Sequence, residues 1–260
     1  MGDVFTAMQK QTVTTGETLP EETQTTEAPA NLLGRIDHSD LLTETAGRQG
    51  PRLRRMLPGE ILEQYRAIRY QILSRAHERR LQTHLIVSHS PREGRSSTVA
   101  HLGHIFSELR SGRTLLIEAD LRKPSFAKLF DRPMKPGLVQ LLTGEIDDID
   151  DAVHRTAHRG LHVLPAGDRK RSDAARLLAH PRMGLAIERA KDLYDHILID
   201  APALSAHHGA LTLARHADHA IITVRLNVTT EAAVQQVGKQ LSQVGCELTG
   251  AVLTHDRGAK

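Results

Sequence analysis

The sequence predicts an α/β fold in which a mostly parallel sheet is flanked by helices on both faces. Short apolar runs rich in Leu, Ile and Val alternate with longer amphipathic segments, the pattern of strands joined by helical crossovers. A turn at residues 88–98, with four Ser, two Arg and one Gly, separates the first apolar run from a helical pattern. Two later apolar runs end in carboxylates. In parallel sheets, ligands bind beyond these strand ends.

Composition excludes several classes of protein. The chain has 260 residues, a net charge of +3 and no tryptophan, which suits one sizeable core and does not suggest a nucleic-acid surface. The single cysteine, Cys246, cannot form an internal disulfide or a paired-thiol cluster. No segment reaches the roughly 18 apolar residues of a membrane span, and residues 1–30 lack a secretion-type apolar core. We therefore expect a cytoplasmic protein.

Two regions of different composition are predicted along the chain. Residues 1–50 are rich in Thr, Glu, Gln and Pro, and we expect a disordered arm there because little apolar surface could offset the entropy of ordering. Residues 51–260 are assigned to one domain. A basic patch at residues 48–55 is interpreted as a solvated linker, with docking to anionic lipid or an acidic partner as the alternative.

Residues 58–78 are predicted to form an amphipathic helix ahead of the sheet. Its apolar residues follow the spacing of one helix face: Ile61, Tyr65, Ile68 and Ile72. Glu63, Arg66 and Arg69 fall together on a neighbouring face. The helix should therefore present one apolar stripe and one charged stripe.

Six apolar runs are predicted to be strands, at residues 84–88, 114–119, 161–165, 196–200, 220–225 and 250–254. Their continuous apolar character indicates burial on both faces. Helical spacing at residues 97–110 predicts a helix after the turn that follows the first of these strands, ending near Gly112. The acidic run at residues 147–151 is predicted to open another helix.

The turn at residues 88–98 contains the parts of a phosphate-binding loop. Such a loop needs inward backbone N–H groups, a cation at the β- and γ-phosphates, a hydroxyl for Mg²⁺ and a helix N-terminus. Gly94, Arg95 and Ser96 can fill these roles in order. The strict G-x-x-x-x-G-K-[ST] pattern fails at His89 and at Arg95, so an ordinary strand-to-helix turn is the alternative.

Carboxylates at strand ends favour the phosphate-binding interpretation. Glu118 and Asp120 are two residues apart at the end of one run, so both side chains are expected on one side. Asp200 ends another run. At the carboxyl edge of the sheet these acids would face phosphates and their metal. A purely structural role for all three acids is the less favoured alternative.

These motifs resemble those of the bacterial tyrosine kinases, the BY-kinases. The Pro-x-Glu-Gly-x-Ser core of the loop, Leu-Leu-Ile-Glu-Ala-Asp-Leu-Arg-Lys-Pro at 115–124 and Leu-Ile-Asp-Ala-Pro at 198–202 are similar to the three Walker-type motifs of that family in order and spacing. Glu63-x-x-Arg66-x-x-Arg69 is similar to its E-x-x-R-x-x-R motif. The resemblance covers residues 58–254 and implies a P-loop NTPase-like fold.

The resemblance implies a role for each matching residue. Four loop residues would bind ATP: Gly94, Arg95, Ser96 and Ser97. Arg95 would contact the β- and γ-phosphates. Ser96 and Asp200 would hold Mg²⁺, and Asp200 would belong to the catalytic set with Glu118 and Asp120, which would position or deprotonate the attacking hydroxyl.

The resemblance also implies partners. Glu63, Arg66 and Arg69 would join neighbouring subunits in a homo-oligomeric ring. Soluble members are activated by a cytoplasmic segment of a membrane-anchored polysaccharide co-polymerase, which would bring this chain to the inner face of the membrane. The implied process is regulation of exopolysaccharide or capsule synthesis and export, without nucleic acid.

Departures from the family pattern bear on activity. Arg92 stands where the family usually has glycine, Glu118 where the first acid is usually aspartate, and Thr254 where an asparagine often contacts adenine. Together with Arg95 in the loop, these changes predict reduced kinase activity. A catalytically dead pseudokinase scaffold is one alternative. A partitioning-type ATPase is another, although such proteins normally carry an additional lysine early in the loop.

The C-terminal tyrosine cluster of the family has no counterpart in this sequence. The three tyrosines of the chain are Tyr65, Tyr70 and Tyr194. Any phosphotyrosine is therefore expected at one of these positions or on another protein.

Overall fold

Eight strands form one sheet within the residues that this computed structural model describes, which are 32–37, 59–79, 81–109, 112–130, 134–168, 173–205 and 209–255. In chain order the strands are β1 (Leu32–Asp37), β2 (Thr83–Ser88), β3 (Thr114–Glu118), β4 (His154–Arg155), β5 (Leu161–Leu164), β6 (His196–Asp200), β7 (His219–Arg225) and β8 (Leu248–His255). Their order across the sheet is β1-β8-β7-β2-β6-β3-β5-β4. Every neighbouring pair is parallel except β4 with β5.

The helices connect these parallel strands. They are α1 (Gly59–Arg79), α2 (Arg95–Ser107), α3 (Phe126–Leu129), α4 (Leu138–Thr143), α5 (Ala174–Leu178), α6 (Arg182–Leu193), α7 (Gly209–Ala214) and α8 (Glu231–Gln243), with a 3₁₀ turn at Ile149–Asp151. None of the described helices has the length and apolar character needed to cross a membrane.

The core lies on both faces of the sheet, because successive strand residues point to opposite sides. Leu85, Leu115 and Ile197 belong to the apolar layer that includes α4, α6, α7 and α8. The next residues along two of those strands, Ile86 and Leu116, belong to the layer formed by α1 and α2. The predicted α/β architecture, with a mostly parallel sheet buried on both faces, is confirmed.

Helix α1 packs as its sequence pattern predicts. The four residues of its apolar stripe are almost fully buried: Ile61, Tyr65, Ile68 and Ile72. They pack with residues of α2 and with Leu33 of β1. The charged stripe, described below, contacts the end of α2.

All six predicted strands are present, but three predictions need correction. Leu32–Asp37, assigned to the disordered arm, forms the edge strand β1, paired in parallel with β8. Helix α2 begins at Arg95 rather than near residue 97. The acidic run opens only the 3₁₀ turn, where the Asp148 side chain accepts a hydrogen bond from the backbone N–H of Asp150. The rest of the predicted arm and the basic patch lie outside the described residues.

Candidate functional site

The loop after β2 turns sharply into α2 at Gly94, which has a φ of 81° in the left-handed region. The Gly94 carbonyl accepts the N–H of Thr98 at 2.9 Å, which closes the first turn of α2. A Cβ at Gly94 would lie 3.0 Å from Cγ2 of Thr254 on β8. Glycine is therefore required here both by the backbone angle and by the close approach of β8.

Thr254 and Glu93 fix the loop to the neighbouring strands. The Thr254 hydroxyl donates to the Glu93 carbonyl at 3.1 Å, so this residue, at the position associated with adenine contact, touches the loop itself. The Glu93 carboxylate is buried and accepts the Thr229 hydroxyl at 2.7 Å. The backbone N–H of Arg225 donates in turn to that hydroxyl at 3.0 Å. The loop is thereby anchored to the ends of β7 and β8.

The bend at Arg92 adopts an unfavourable backbone conformation. Its φ is 67°, in the left-handed region that side chains with a Cβ rarely occupy. The loop bends here at a steric cost that glycine would not incur.

Arg95 lies across the site and ties it together. Its Nε donates to Asp200 Oδ1 at 2.6 Å, its Nη2 to Asp120 Oδ2 at 2.9 Å, and its Nη1 to Ser88 Oγ at 2.9 Å. The residue is only 7% exposed. Burial alone would lower the pKa of Arg95, but the two carboxylates outweigh burial and raise it. The guanidinium therefore stays charged and paired with both acids.

Asp200 is almost fully buried beside the phosphate loop. Burial raises its pKa, while the charge of Arg95 and the Ser96 hydroxyl act to lower it. Arg95 bonds only to Oδ1, and Oδ2 has no close hydrogen-bond partner among the described residues. A buried carboxylate oxygen without a partner, next to a hydroxyl, fits a Mg²⁺ site of the kind that one or two protein ligands share with phosphates.

Asp120 follows β3 at the same edge of the sheet. Besides Arg95, it accepts the backbone N–H of Lys123 at 3.1 Å through Oδ1. The backbone N–H of Ala119 donates to the Asp200 carbonyl at 3.0 Å, which ties the ends of the two acidic strands together. The structure thus brings Arg95, Asp120 and Asp200 together.

Glu118 lies beside the site with both carboxylate oxygens bound to backbone. Oε1 accepts the N–H groups of Ser125 and Phe126, and Oε2 accepts that of Ala166 at 3.0 Å. Glu118 is paired with Asp200 in the strand register. Burial raises its pKa to about 7, although the backbone hydrogen bonds act to lower it. Its present contacts hold the start of α3 and the loop after β5, and its role toward a hydroxyl remains a prediction.

The charged residues on α1 form hydrogen bonds and ion pairs with other residues of the same chain. Arg66 donates to both oxygens of Glu108, through Nε at 3.1 Å and Nη2 at 2.9 Å, and through Nη1 to Glu63 at 2.7 Å. Arg69 donates to the carbonyl of Ile105 and lies 3.6 Å from Glu108. The ring role of these residues remains a prediction.

The sequence predicted no role for three side chains that shape these contacts: Ser88, Glu93 and Glu108. Glu108 lies 42 residues from Arg66, and no local pattern connects them. Among the described residues, no three His, Cys, Asp or Glu side chains form a metal-binding group. A metal here would depend on Ser96, Asp200 and ligand oxygens.

The fold and this loop together define a P-loop type of α/β protein, and comparison with known proteins identifies its family. The chain matches no family model. It is 30% identical to the tyrosine-protein kinase YwqD of Bacillus subtilis over 191 residues, 74% of this chain and 79% of YwqD. The putative tyrosine-protein kinase CapB of Staphylococcus aureus is 26% identical over 74% of this chain and 83% of CapB. The chain belongs to the bacterial tyrosine kinase family.

Longer relatives and solved structures agree with this assignment. The succinoglycan biosynthesis transport protein ExoP of Rhizobium meliloti is 30% identical over 65% of this chain, which spans only 21% of ExoP. The BceF tyrosine kinase domain superposes with a TM-score of 0.76 at 25% identity, covering 86% of this chain and 93% of that domain. The kinase domain of Escherichia coli ETK has a TM-score of 0.77 at 22% identity, covering 88% and 92%, and shares the fold.

Proposed function

We propose that this chain binds Mg²⁺-ATP at the loop after β2 and transfers the γ-phosphoryl group to tyrosine at a reduced rate. The process it serves is the regulation of exopolysaccharide or capsule synthesis and export. Family membership and the cluster of Arg95, Asp120 and Asp200 at the carboxyl edge of the sheet support this proposal.

The single observation that carries the proposal is the position of Arg95. Its guanidinium lies at the N-terminus of α2 and joins the two strand-end acids. The N-terminus of a helix together with a fixed cation can bind the negative charge of a polyphosphate. To bind the β- and γ-phosphates, Arg95 has to leave Asp200, which is the acid assigned to the metal.

The assignment of roles follows from these contacts. Gly94, Arg95, Ser96 and Ser97 would hold the phosphates through backbone N–H groups, the guanidinium and hydroxyls. Ser96 and Asp200 would hold Mg²⁺, which would neutralise charge on the transferred phosphoryl group. Asp120, together with Glu118, would position or deprotonate the acceptor hydroxyl.

The proposed cellular partner is a membrane-anchored polysaccharide co-polymerase. ExoP, a relative named for succinoglycan biosynthesis transport, contains a region similar to this chain within a much longer protein. We infer that this chain meets an equivalent membrane-anchored partner, forms a homo-oligomeric ring through Glu63, Arg66 and Arg69, and works in the cytoplasm at the inner face of the membrane.

The test measures Mg²⁺-dependent ATP binding by calorimetry and phosphate transfer to a synthetic Glu/Tyr copolymer. Asp200→Asn should abolish the Mg²⁺ dependence of binding. Asp195→Asn is the matched control, because Asp195 precedes β6 at the opposite sheet edge, where it accepts the N–H of Arg113. Binding that is absent in the wild type, or that Asp200→Asn leaves unchanged, would contradict the proposal.

A second candidate function is a pseudokinase scaffold. The Arg95 to Asp200 ion pair, at 2.6 Å, favours it because the pair occupies a metal-binding acid and resists separation. ATP binding without transfer to the copolymer, together with an oligomer that persists without nucleotide, would support the scaffold over the kinase.

A further inference from the structure

We propose that Tyr70 is the tyrosine of this chain that accepts phosphate, and that Arg66 binds the phosphate once it is attached. This inference rests on the proposed kinase function. It assigns the acceptor among the three tyrosines of the sequence, Tyr65, Tyr70 and Tyr194.

Tyr70 differs from the two other tyrosines in how much of its side chain is exposed to solvent. Tyr70 on α1 is 74% exposed, whereas Tyr65 is fully buried and Tyr194 is 3% exposed. Burial raises the pKa of Tyr65 far above its usual range. Tyr194 is held by two contacts: its hydroxyl lies 2.9 Å from Nδ1 of His162, and the Arg113 guanidinium lies 5.1 Å from its ring centre. Only Tyr70 presents its hydroxyl without unfolding of the core.

The position of Tyr70 requires that the phosphate come from a second copy of the chain. Arg69, its neighbour on α1, donates to the carbonyl of Ile105 on α2. Ile105 lies ten residues after Arg95, which is about 15 Å along the helix at roughly 1.5 Å per residue. Tyr70 is therefore well removed from the phosphate loop of its own chain, and transfer must occur between chains.

The helix also supplies a cation for the product. Arg66 lies four residues before Tyr70, so the two side chains emerge from neighbouring positions on the helix surface. Three of the five guanidinium N–H donors of Arg66 are used in its contacts with Glu63 and Glu108. The Arg66 side chain is 39% exposed. A phosphate on Tyr70 can bind the remaining donors or compete with Glu63 and Glu108 for the guanidinium.

The transfer is chemically balanced with ATP as the donor. The Tyr70 oxygen of one chain forms a bond to the γ-phosphorus held by the other, and the bond from that phosphorus to the β,γ-bridging oxygen breaks. The phenolic proton is lost to solvent or to a carboxylate of the site. ADP leaves with the bridging oxygen, and no oxidant or reductant takes part.

The test mixes wild-type chain, Mg²⁺ and ATP with an isotopically labelled Asp200→Asn chain as the acceptor. Phosphopeptide mapping should find phosphate on Tyr70 of the labelled chain. Adding Tyr70→Phe to the labelled chain should remove nearly all of its phosphotyrosine, whereas adding Tyr194→Phe should leave the phosphate on Tyr70 unchanged. The Glu/Tyr copolymer is assayed in parallel as an acceptor that does not depend on this inference.

Phosphate on the copolymer but not on Tyr70 would overturn the inference and leave the proposed kinase function standing. Phosphate on neither the copolymer nor Tyr70 would overturn both this inference and the proposed kinase function. A second measurement does not use the enzyme: phosphotyrosine is incorporated at position 70 during translation and titrated by phosphorus NMR. Its second pKa should lie below the usual value of about 6 and should rise in Arg66→Gln. Equal values in the two chains would refute the role of Arg66.

Discussion

Replacing Arg95 by lysine should change stability and nucleotide affinity in opposite directions. In the structure, Arg95 makes three hydrogen bonds, to Asp200, Asp120 and Ser88. Lysine is a compact point charge and cannot hold the two acids and the hydroxyl in the same planar geometry. We expect Arg95→Lys to weaken the nucleotide-free protein and to bind Mg²⁺-ATP more tightly.

The magnitude follows from the contacts that are lost. Two charge-assisted hydrogen bonds are each worth about 1.5–3 kcal/mol, and the retained charge, still close to Asp200, offsets part of their loss. We expect a decrease of about 2 kcal/mol in the free energy of unfolding. If binding must first separate Arg95 from Asp200, the same ~2 kcal/mol is recovered on binding, which is roughly a 30-fold gain in affinity.

The assay combines urea unfolding of the nucleotide-free protein with calorimetric titration of Mg²⁺-ATP. Arg92→Lys is the matched control because Arg92 is an exposed arginine in the same loop, and this change should alter either free energy by less than about 0.5 kcal/mol. Unchanged stability, or weaker binding in Arg95→Lys than in the wild type, would refute the idea that the ion pair opposes nucleotide binding.

Three further predictions concern Glu118, Gly94 and the charged stripe of α1. The folded-state pKa of Glu118 is raised from 4.5 to about 7, so the unfolded chain loses this proton at a lower pH than the folded chain does. The free energy of unfolding should therefore fall, by up to about 3 kcal/mol, as pH rises from 4.5 to about 7. Glu118→Gln should remove this slope from urea unfolding followed across the interval, and an unchanged slope would contradict the assignment. Gly94→Ala should cost more than about 1 kcal/mol of unfolding free energy, because φ is 81° and Thr254 blocks the new Cβ; equal urea midpoints would be contrary evidence. Arg66→Ala with Arg69→Ala should shift the sedimentation profile of an oligomeric wild type toward smaller species, and an unchanged profile would show that the ring interface lies elsewhere.

The core of the sheet could be predicted because its strands are continuous apolar runs and their crossovers are helical. The edges of the sheet could not. β1 contributes Leu33 to the core, but the surrounding composition is that of a disordered segment, and only pairing with β8 makes it a strand. β4 has two residues, too few for an alternating pattern. Long-range pairing, which has no local signal, determines both edges.

The sequence named the residues of the candidate site but did not predict their contacts with one another. Asp120 and Asp200 lie beside the loop, as expected from their positions at the ends of parallel strands, which share one carboxyl edge. The sequence assigned Arg95 to phosphates, which stays a prediction, and did not predict that its guanidinium pairs with Asp120 and Asp200. The sequence did not predict that the Glu118 oxygens accept backbone N–H groups, and the role of Glu118 toward a hydroxyl stays a prediction. Sequence spacing alone does not predict whether a polar side chain binds a ligand or another group of the protein.

The most direct test of the central claim is the single-turnover rate of phosphotyrosine formation by wild type, Arg95→Lys and Asp200→Ala under saturating Mg²⁺-ATP. Because phosphoryl transfer depends on positioning, a displacement of about an ångström by the guanidinium can cost on the order of 100-fold. We predict slow transfer by the wild type, faster transfer by Arg95→Lys and none by Asp200→Ala. Brisk wild-type transfer that Arg95→Lys does not improve, and that Asp200→Ala abolishes, would show instead that the arginine loop is a fully working variant.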